Sequence, residues 1–511
     1  LFFLLATIIS PSSQQRDPVD DFCRRWDHQS ALVGDKLILD GGWVGWNGLA
    51  QNYSNEWLTY HDITSGSMEG MPPLYANLSK NATIPRVAAG ALWSDEVNGW
   101  AYLYGGETTS QGRAWPVSLY AYDVWYDKWY VRSIPDGAEI PGVSHGAATS
   151  VSERGEGYYY GGWCSSRTDP GIADGVDAQA NNELIRYNYD TDEWTTVRGP
   201  DEKGRAEGVM VYIPAGDGGL LIYFGGVEDL GKSEVNGTTK VKAQRMDEIF
   251  IYDVVSTKWY RQNATGQVPE NRRRFCAGVT WADDQSTYNI YLFGGLGFGD
   301  QEAGYGDVYA LTLPTFTWIK LWPGPESDTP HGPFPHHSLS CNVVRNAQMI
   351  IIGGWFTKFD GCDEPKGAHG LDMGKQNKKD GPDAYWDTYK PQVTKYVVPD
   401  DIRALVGGNE EGGATRMAPE DGFGEPDLAV LATLHATVAS RTASRTPPFG
   451  TATETDTPSG LSTGEIAGIA VGITVAAVGA LAAFAWFVRG LYMRKRREIR
   501  REKAVAAAAM A

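Results

Sequence analysis

Histidine and cysteine are scarce in this chain, and positive charge is outweighed by negative. The 511 residues hold eight His and five Cys, with 45 Lys and Arg against 63 Asp and Glu. A net charge of −18 lacks the basic footprint that nucleic-acid binding requires. The five cysteines, Cys23, Cys164, Cys276, Cys341 and Cys362, are widely spaced and form no C-x-x-C pair, which argues against a zinc site. The histidines are scattered. His336 and His337 are adjacent, and neighbours on a strand face opposite ways, so they do not ligate one metal together. No H-E-x-x-H string occurs. The glycine-rich stretch at residues 294–300 follows a strand-like run but opens no helix, so it is not a dinucleotide loop. Neither a metal nor a cofactor is expected.

What is abundant points to β-structure. The chain has 61 Gly, 18 Trp and 26 Tyr, and only 21% of its residues are charged, a composition suited to an all-β globular body with many turns.

The ends read differently from the middle. Residues 1–12 open on a short apolar stretch that looks like the remnant of a secretory signal. Residues 426–464 are rich in Thr, Ser, Ala and Pro and are expected to form a disordered stalk. Residues 465–488 contain a charge-free apolar tract long enough to cross a bilayer. Residues 489–511 then carry eight Lys or Arg against Glu498 and Glu502, placing the tail on the cytoplasmic side. The expected location is therefore a type I single-pass membrane protein, at the plasma membrane or cell surface in preference to the vacuole or another endomembrane. Gly468 and Gly472 would let two spans approach as a weak dimer. Five N-x-S/T sequons, at Asn52, Asn77, Asn81, Asn236 and Asn263, fit an exported glycoprotein. Among the cysteines, Cys341–Cys362 is the preferred disulfide, because both flank the same strand pair.

The main signal is a repeat. A glycine pair ends a short apolar run six times: Gly41-Gly42, Gly105-Gly106, Gly161-Gly162, Gly225-Gly226, Gly294-Gly295 and Gly353-Gly354. Each run reads as a strand buried on both faces, and the glycines permit close backbone approach. Downstream, Asp123, Asn188, Asp253 and Thr312 each precede a Trp (Trp129, Trp194, Trp259, Trp318) by six residues. A strand ending in an Asx-type turn, then a strand opened by Trp, is a hairpin. The sixth unit has Trp386, with a last strand expected near residues 396–398. Upstream of the glycine pairs stands a third column: His28, Ala89, His145, Gly208, Ala277 and His337. Three residues before these lie Arg25, Arg86, Gly142, Arg205, Arg274 and Phe334.

The glycine pair, the Tyr-Asp and the Trp, recurring in this order over residues 22–400, resemble the kelch repeat, and the overall order resembles kelch-containing membrane proteins of fungi. The resemblance implies a six-bladed kelch β-propeller over residues 20–425, or seven blades if residues 402–425 add strands. The glycines and tryptophans would then hold blades together. Arg25, Arg86, Arg205, Arg274, His28, His145 and His337 would form a polar rim at the channel mouth, suited to a carboxylate, a phosphate or an acidic peptide. Long loops at 163–183, 227–246 and 356–384 offer a second recognition surface. The function expected is a protein- or glycan-binding and adhesion module without catalysis. The alternative is a propeller enzyme of the galactose-oxidase-like class.

Overall fold

The computed structural model of the chain describes residues 16–110, 112–135, 137–232, 239–299, 304–376, 385–436 and 441–448. The six apolar runs that precede the glycine pairs are all strands: Lys36–Asp40, Trp100–Tyr104, Glu156–Tyr160, Leu220–Phe224, Tyr288–Leu296 and Gln348–Ile352. Several are buried at every position, because other sheets cover both of their faces. Each pairs antiparallel with the strand before it. Those first strands are Gln29–Val33, Ala91–Asp95, Ala147–Val151, Val209–Ile213, Cys276–Trp281 and Ser340–Val344. A third and a fourth strand complete sheets 1 to 5. Sheet 6 has three strands, and Trp386 makes only an isolated bridge to Leu371 where a fourth would lie.

The protein is thus all-β, built of small antiparallel sheets. Among the described residues, each first strand packs beside the first strands of the preceding and following sheets, and the sixth returns to the first. The apolar core is divided accordingly, with one cluster between each neighbouring pair. Ile222 and Leu292 meet between sheets 4 and 5, and Leu37 and Leu39 of sheet 1 meet Ile350 and Ile352 of sheet 6. The first strands surround a cavity of about 940 Å³.

The repeat residues explain this packing. Gly226 has φ +81, and a Cβ there would lie 2.3 Å from the Ala206 carbonyl oxygen. Its N–H donates to the Arg272 carbonyl of the following sheet at 3.0 Å. Gly42, Gly106, Gly162 and Gly354 donate in the same way to Val87, Val143, Arg205 and Arg25, stitching sheet to sheet. The Trp side chains staple backwards: Trp129 donates its indole N–H to Ser79, Trp259 to Arg198 and Trp318 to Met246, each a carbonyl of the preceding sheet. Asp123 accepts the N–H groups of Trp125 and Tyr126, the expected Asx turn.

Five expectations change. Residues 396–398 form no strand; Tyr396 is buried, with its hydroxyl 3.1 Å from that of Tyr291 in sheet 5. Residues 402–425 add no strand either: Asp400–Val406 is a helix, α1.

The described part of the expected stalk is docked. Helix α2, Pro426–Leu431, sends Leu428 and Leu431 into the cluster between sheets 4 and 5. Arg441 makes paired contacts with Asp95 (2.6 and 2.9 Å) and Asp190 (2.7 and 2.5 Å), and Arg445 binds both oxygens of Asp123. A Thr/Ser/Pro tract cannot build a core of its own, but a few leucines and arginines suffice to attach it to an existing body.

Cys341 pairs with Cys276 and Cys362 with Cys23, not with each other. Cys276 and Cys341 sit on neighbouring first strands, whereas Cys362 lies past the end of its strand pair, beside the strand Phe22–Trp26. Cys164 is unpaired.

The expected membrane location is corrected. Among the described residues no helix is long and apolar enough to cross a membrane. The two helices have seven and six residues, or roughly 10 Å each, where a hydrocarbon core needs about 30 Å. The type I single-pass assignment is therefore withdrawn. Residues 1–12, the tract 465–488 with Gly468 and Gly472, and the tail 489–511 lie outside the described residues.

Candidate functional site: a hydrogen-bonded ring beneath a loop face

Immediately before each first strand stands one residue in the left-handed region: Asp27 (φ 51), Ala89 (52), His145 (54), Glu207 (62), Arg274 (55) and Ser338 (60). These six close a ring of backbone hydrogen bonds. The N–H of Ala89 donates to Asp27, His145 to Ala89, Glu207 to His145, Arg274 to Glu207, Ser338 to Arg274 and Asp27 to Ser338, all between 2.7 and 2.9 Å. The left-handed turn aims each residue's N–H at the carbonyl of the preceding unit and its own carbonyl at the next. The six-membered circuit satisfies every one of these polar groups without a ligand.

The ring side chains reach across the axis. Asp27 of sheet 1 lies 3.7 Å from His145 of sheet 3 and 4.0 Å from Arg274 of sheet 5. Glu207 takes Arg274 at 3.1 Å and Arg273 at 3.3 Å. Contacts between non-neighbouring sheets run only across the channel, so this network bridges its mouth. Burial pushes the Asp27 carboxyl up, but His145 and Arg274 together hold it well below the usual carboxylate range. Glu207 is likewise resisted by burial and held down, to about 2, chiefly by Arg274 and His145. Opposite charges at the mouth answer one another, leaving no net basic rim.

The residues read from the sequence as that rim are spread over several environments. Arg25 and Arg205 occupy the slot two residues before the ring, with Arg272 in the same slot of sheet 5, and all three are buried. Arg25 donates to Thr59 at 3.1 Å and lies over the Phe22 ring. Arg205 clamps Asp201 with two bonds of 2.7 Å. Arg272 binds Asp307 at 2.6 and 3.4 Å. Arg86 stands one position off this slot and pairs with Glu56 at 2.5 Å. Only Arg274 and His145 belong to the ring itself. His28 follows the ring position, contacts Ser340 at 2.9 Å and is pushed down to about 3 by burial and by Arg25. His337 precedes Ser338 and is pushed down to about 4 by burial and Arg274. The aligned column mixed four positions because the ring residue precedes its glycine pair by 14 to 20 residues, as hairpin length varies. Asp27, Glu207, Ser338 and Arg272 were missed for that reason. The run of three arginines at residues 272–274 made the choice ambiguous as well.

Past the glycine pairs, the chain forms ribbons on the ring end of the sheets: Trp163–Cys164 with Gln179–Ala180, Val227–Lys232 with Thr239–Ala243, and His336–His337 with Trp355–Phe356. Adjacent ribbons are tied, as Ala180 N–H to Asp229 at 2.9 Å. On this loop face Leu49, Val176, Leu230, Val241, Phe298, Phe334 and Phe359 are exposed apolar side chains. The opposite end, made of hairpin turns, carries the docked C-terminal segment. Of the sequons, Asn52, Asn77, Asn81 and Asn263 are exposed, and Asn236 lies outside the described residues.

Two strings that spell catalytic motifs lack the matching structure. Residues 226–233 read G-x-x-x-x-G-K-S, but Val227–Lys232 is a strand of a ribbon, the next described element is the strand Thr239–Ala243, and Glu228 is paired with Lys203 at 2.9 Å. Residues 142–146 read G-x-S-x-G, but Ser144 is 1% exposed and leads into a first strand, not a helix. Among the described residues one group has metal-ligand spacing, Glu270, Asp307 and His331. Its centre is answered by the buried Arg272 guanidinium, a poor neighbour for a cation.

Comparison with known proteins agrees with this architecture. Residues 27–295 match the profile of the KLHDC2/KLHL20/DRC7 Kelch-repeats domain. The chain is 28% identical over 526 aligned residues to a "Kelch repeat-containing protein" of Arthroderma benhamiae, covering 93% of this chain and 75% of that one. It is 26% identical to "Kelch-like protein terF" of Aspergillus terreus, covering 65% of this chain and 61% of that one. A solved structure, "Structure of YjhT", aligns at 12% identity with a TM-score of 0.47, over 70% of this chain and 98% of that one.

Proposed function

Because the chain belongs to the kelch-repeat family, we propose that it is a six-bladed propeller acting as a protein-interaction module, with its partner on the loop face that follows the glycine pairs. The cyclic contacts of six first strands and the six-membered backbone ring support that blade count. One observation carries the choice of surface: the chain's own C-terminal segment occupies the turn end, while the loop end exposes apolar side chains on mutually braced ribbons. Such patches on a rigid scaffold suit recognition. The ring network beneath them braces the loops and is not itself a ligand site. The role is binding rather than catalysis. His336 donates its Nδ1–H to the Phe334 carbonyl and stacks on Phe356, and the His337 Nδ1 contacts Ser338, so neither neighbour is arranged for shared copper ligation. The two disulfides suit an oxidising compartment, where the exposed sequons at Asn52, Asn77, Asn81 and Asn263 would be acceptor sites.

Photo-crosslinking tests the surface. A crosslinker at Leu230 or Phe298, on the loop face, is expected to capture a discrete protein in the native host; one at Val255 or Val430, on the turn end, is not. Capture from the turn end alone contradicts the reading. Binding to a glycan array without any protein crosslink would replace the protein partner by a glycan.

A further inference from the structure

A second cavity, of about 490 Å³, lies between sheets 5 and 6 on the loop-face side. Its walls are aromatic: Phe293, Trp322, Phe334, Phe356, Phe359 and Trp386. The rings support one another, with Phe293 and Trp322 edge-on to Trp386 at 5.2 and 5.5 Å and Phe356 edge-on to Phe359 at 5.5 Å. Phe334 and Phe359 are partly exposed at its opening.

Two buried acceptors without partners line the same cavity. Asp363 and His336 are each 3% exposed. Asp363 takes the His369 Nε2–H on one oxygen at 2.6 Å, and its Oδ2 has no hydrogen bond. The partner of His336 Nδ1 is the Phe334 carbonyl, at 2.7 Å, so Nδ1 must donate. Nε2 of the neutral ring is then an acceptor, and it too is unpaired. Burial keeps that ring neutral, with its pKa pushed down to about 4. Buried acceptors are normally satisfied, and two in one aromatic cavity point to a missing donor. The charge of Asp363 is already met by His369 and by the field of buried Arg25. The cavity therefore calls for a donor, not for a cation.

We propose that this cavity is a binding site for a small aromatic ring compound carrying an O–H or N–H, such as a phenol or an indole, which donates its one proton to Asp363 Oδ2 or to His336 Nε2 while its ring packs among the six aromatic side chains. The volume falls in the range of small-molecule sites. The inference is independent of the loop-face partner and survives if that partner proves to bind elsewhere.

Calorimetric titration of the purified protein with 4-ethylphenol and indole, each against its O- or N-methyl counterpart, tests it. At least one donor compound is expected to bind, and about tenfold or more tighter than its methylated form, which leaves the acceptors unpaired. His336→Phe, which keeps the stack on Phe356, and Asp363→Asn remove the two acceptors one at a time, and one of the two variants is expected to shrink that discrimination. The donor-against-methyl comparison needs no variant, so it stands even if a substitution perturbs folding. Failure of all four compounds to bind at millimolar concentration, or equal binding of donor and methylated forms, overturns the proposal.

Discussion

Replacing Arg272 by Leu is expected to destabilise the protein by about 3–5 kcal/mol, the cost of leaving a buried charge without its partner. Arg272 and Asp307 are both 0% exposed, bonded at 2.6 Å, and the guanidinium also reaches the Gly294 carbonyl and lies over the Tyr305 ring. One side chain therefore ties the slot before the ring to the second and third strands of sheet 5. The pH dependence carries its own sign. Burial pushes the Asp307 carboxyl up, but Arg272 and His331 hold it below its ordinary value. A carboxyl lowered in the folded state contributes stability at pH values above its unfolded pKa and loses it as the pH falls through the folded one. In the variant the same carboxyl is buried with little compensation, so its pKa rises and acid relieves the penalty. The unfolded carboxyl titrates alike in both proteins and cancels, so urea unfolding should show the gap narrowing as the pH falls through the variant's raised carboxyl pKa, above the ordinary value of about 4. A gap under 1 kcal/mol at pH 7, or one that widens in acid, contradicts the assignment.

Cys23–Cys362 should matter as much. The two residues are 339 apart in sequence and join the first described strand to the last sheet. Sheet 1 is built wholly from the N-terminal side and sheet 6 wholly from the C-terminal side, so no shared sheet locks the circle. Beyond the disulfide, closure rests on a few backbone bonds, among them Asp27 to Ser338, Gly354 to Arg25 and Asp363 to Cys23, on side-chain bonds such as His28 to Ser340 and Ser30 to Asn342, and on the packing of Leu37 and Leu39 against Ile350 and Ile352. For a loop of this length the chain-entropy model gives a loss of about 6 kcal/mol on removal, against about 4 kcal/mol for the shorter Cys276–Cys341 loop. Paired Ser variants, compared by denaturant unfolding, should rank in that order. A Cys23→Ser, Cys362→Ser protein as stable as the parent would mean that the circle is held by other contacts.

Local chemistry was legible in the sequence and closure was not. Gly226 and its counterparts, Asp123 and Trp259 announced their roles because each acts within a few residues or through one fixed close approach. The ring was hidden by hairpins of unequal length, which slide Asp27, Glu207 and Arg274 out of any constant offset from the glycines. Cysteine pairing failed for a similar reason: Cys276 and Cys341 become neighbours only when the sheets assemble radially. Composition misled at residues 426–448, where a tract too polar to fold alone is held by Leu428, Arg441 and Arg445 on a surface already made. The acceptors of the aromatic cavity left no sequence signal, since being unpaired is a property of assembled surroundings.

Native-state hydrogen exchange at the amides of Asp27, Ala89, His145, Glu207, Arg274 and Ser338 tests the closed circle directly. If six sheets are joined through one continuous ring, all six amides should exchange only with global unfolding, at one common free energy. Fast exchange confined to Asp27, whose amide alone crosses from the first sheet to the last, with the other five protected, would mean that those two sheets do not meet.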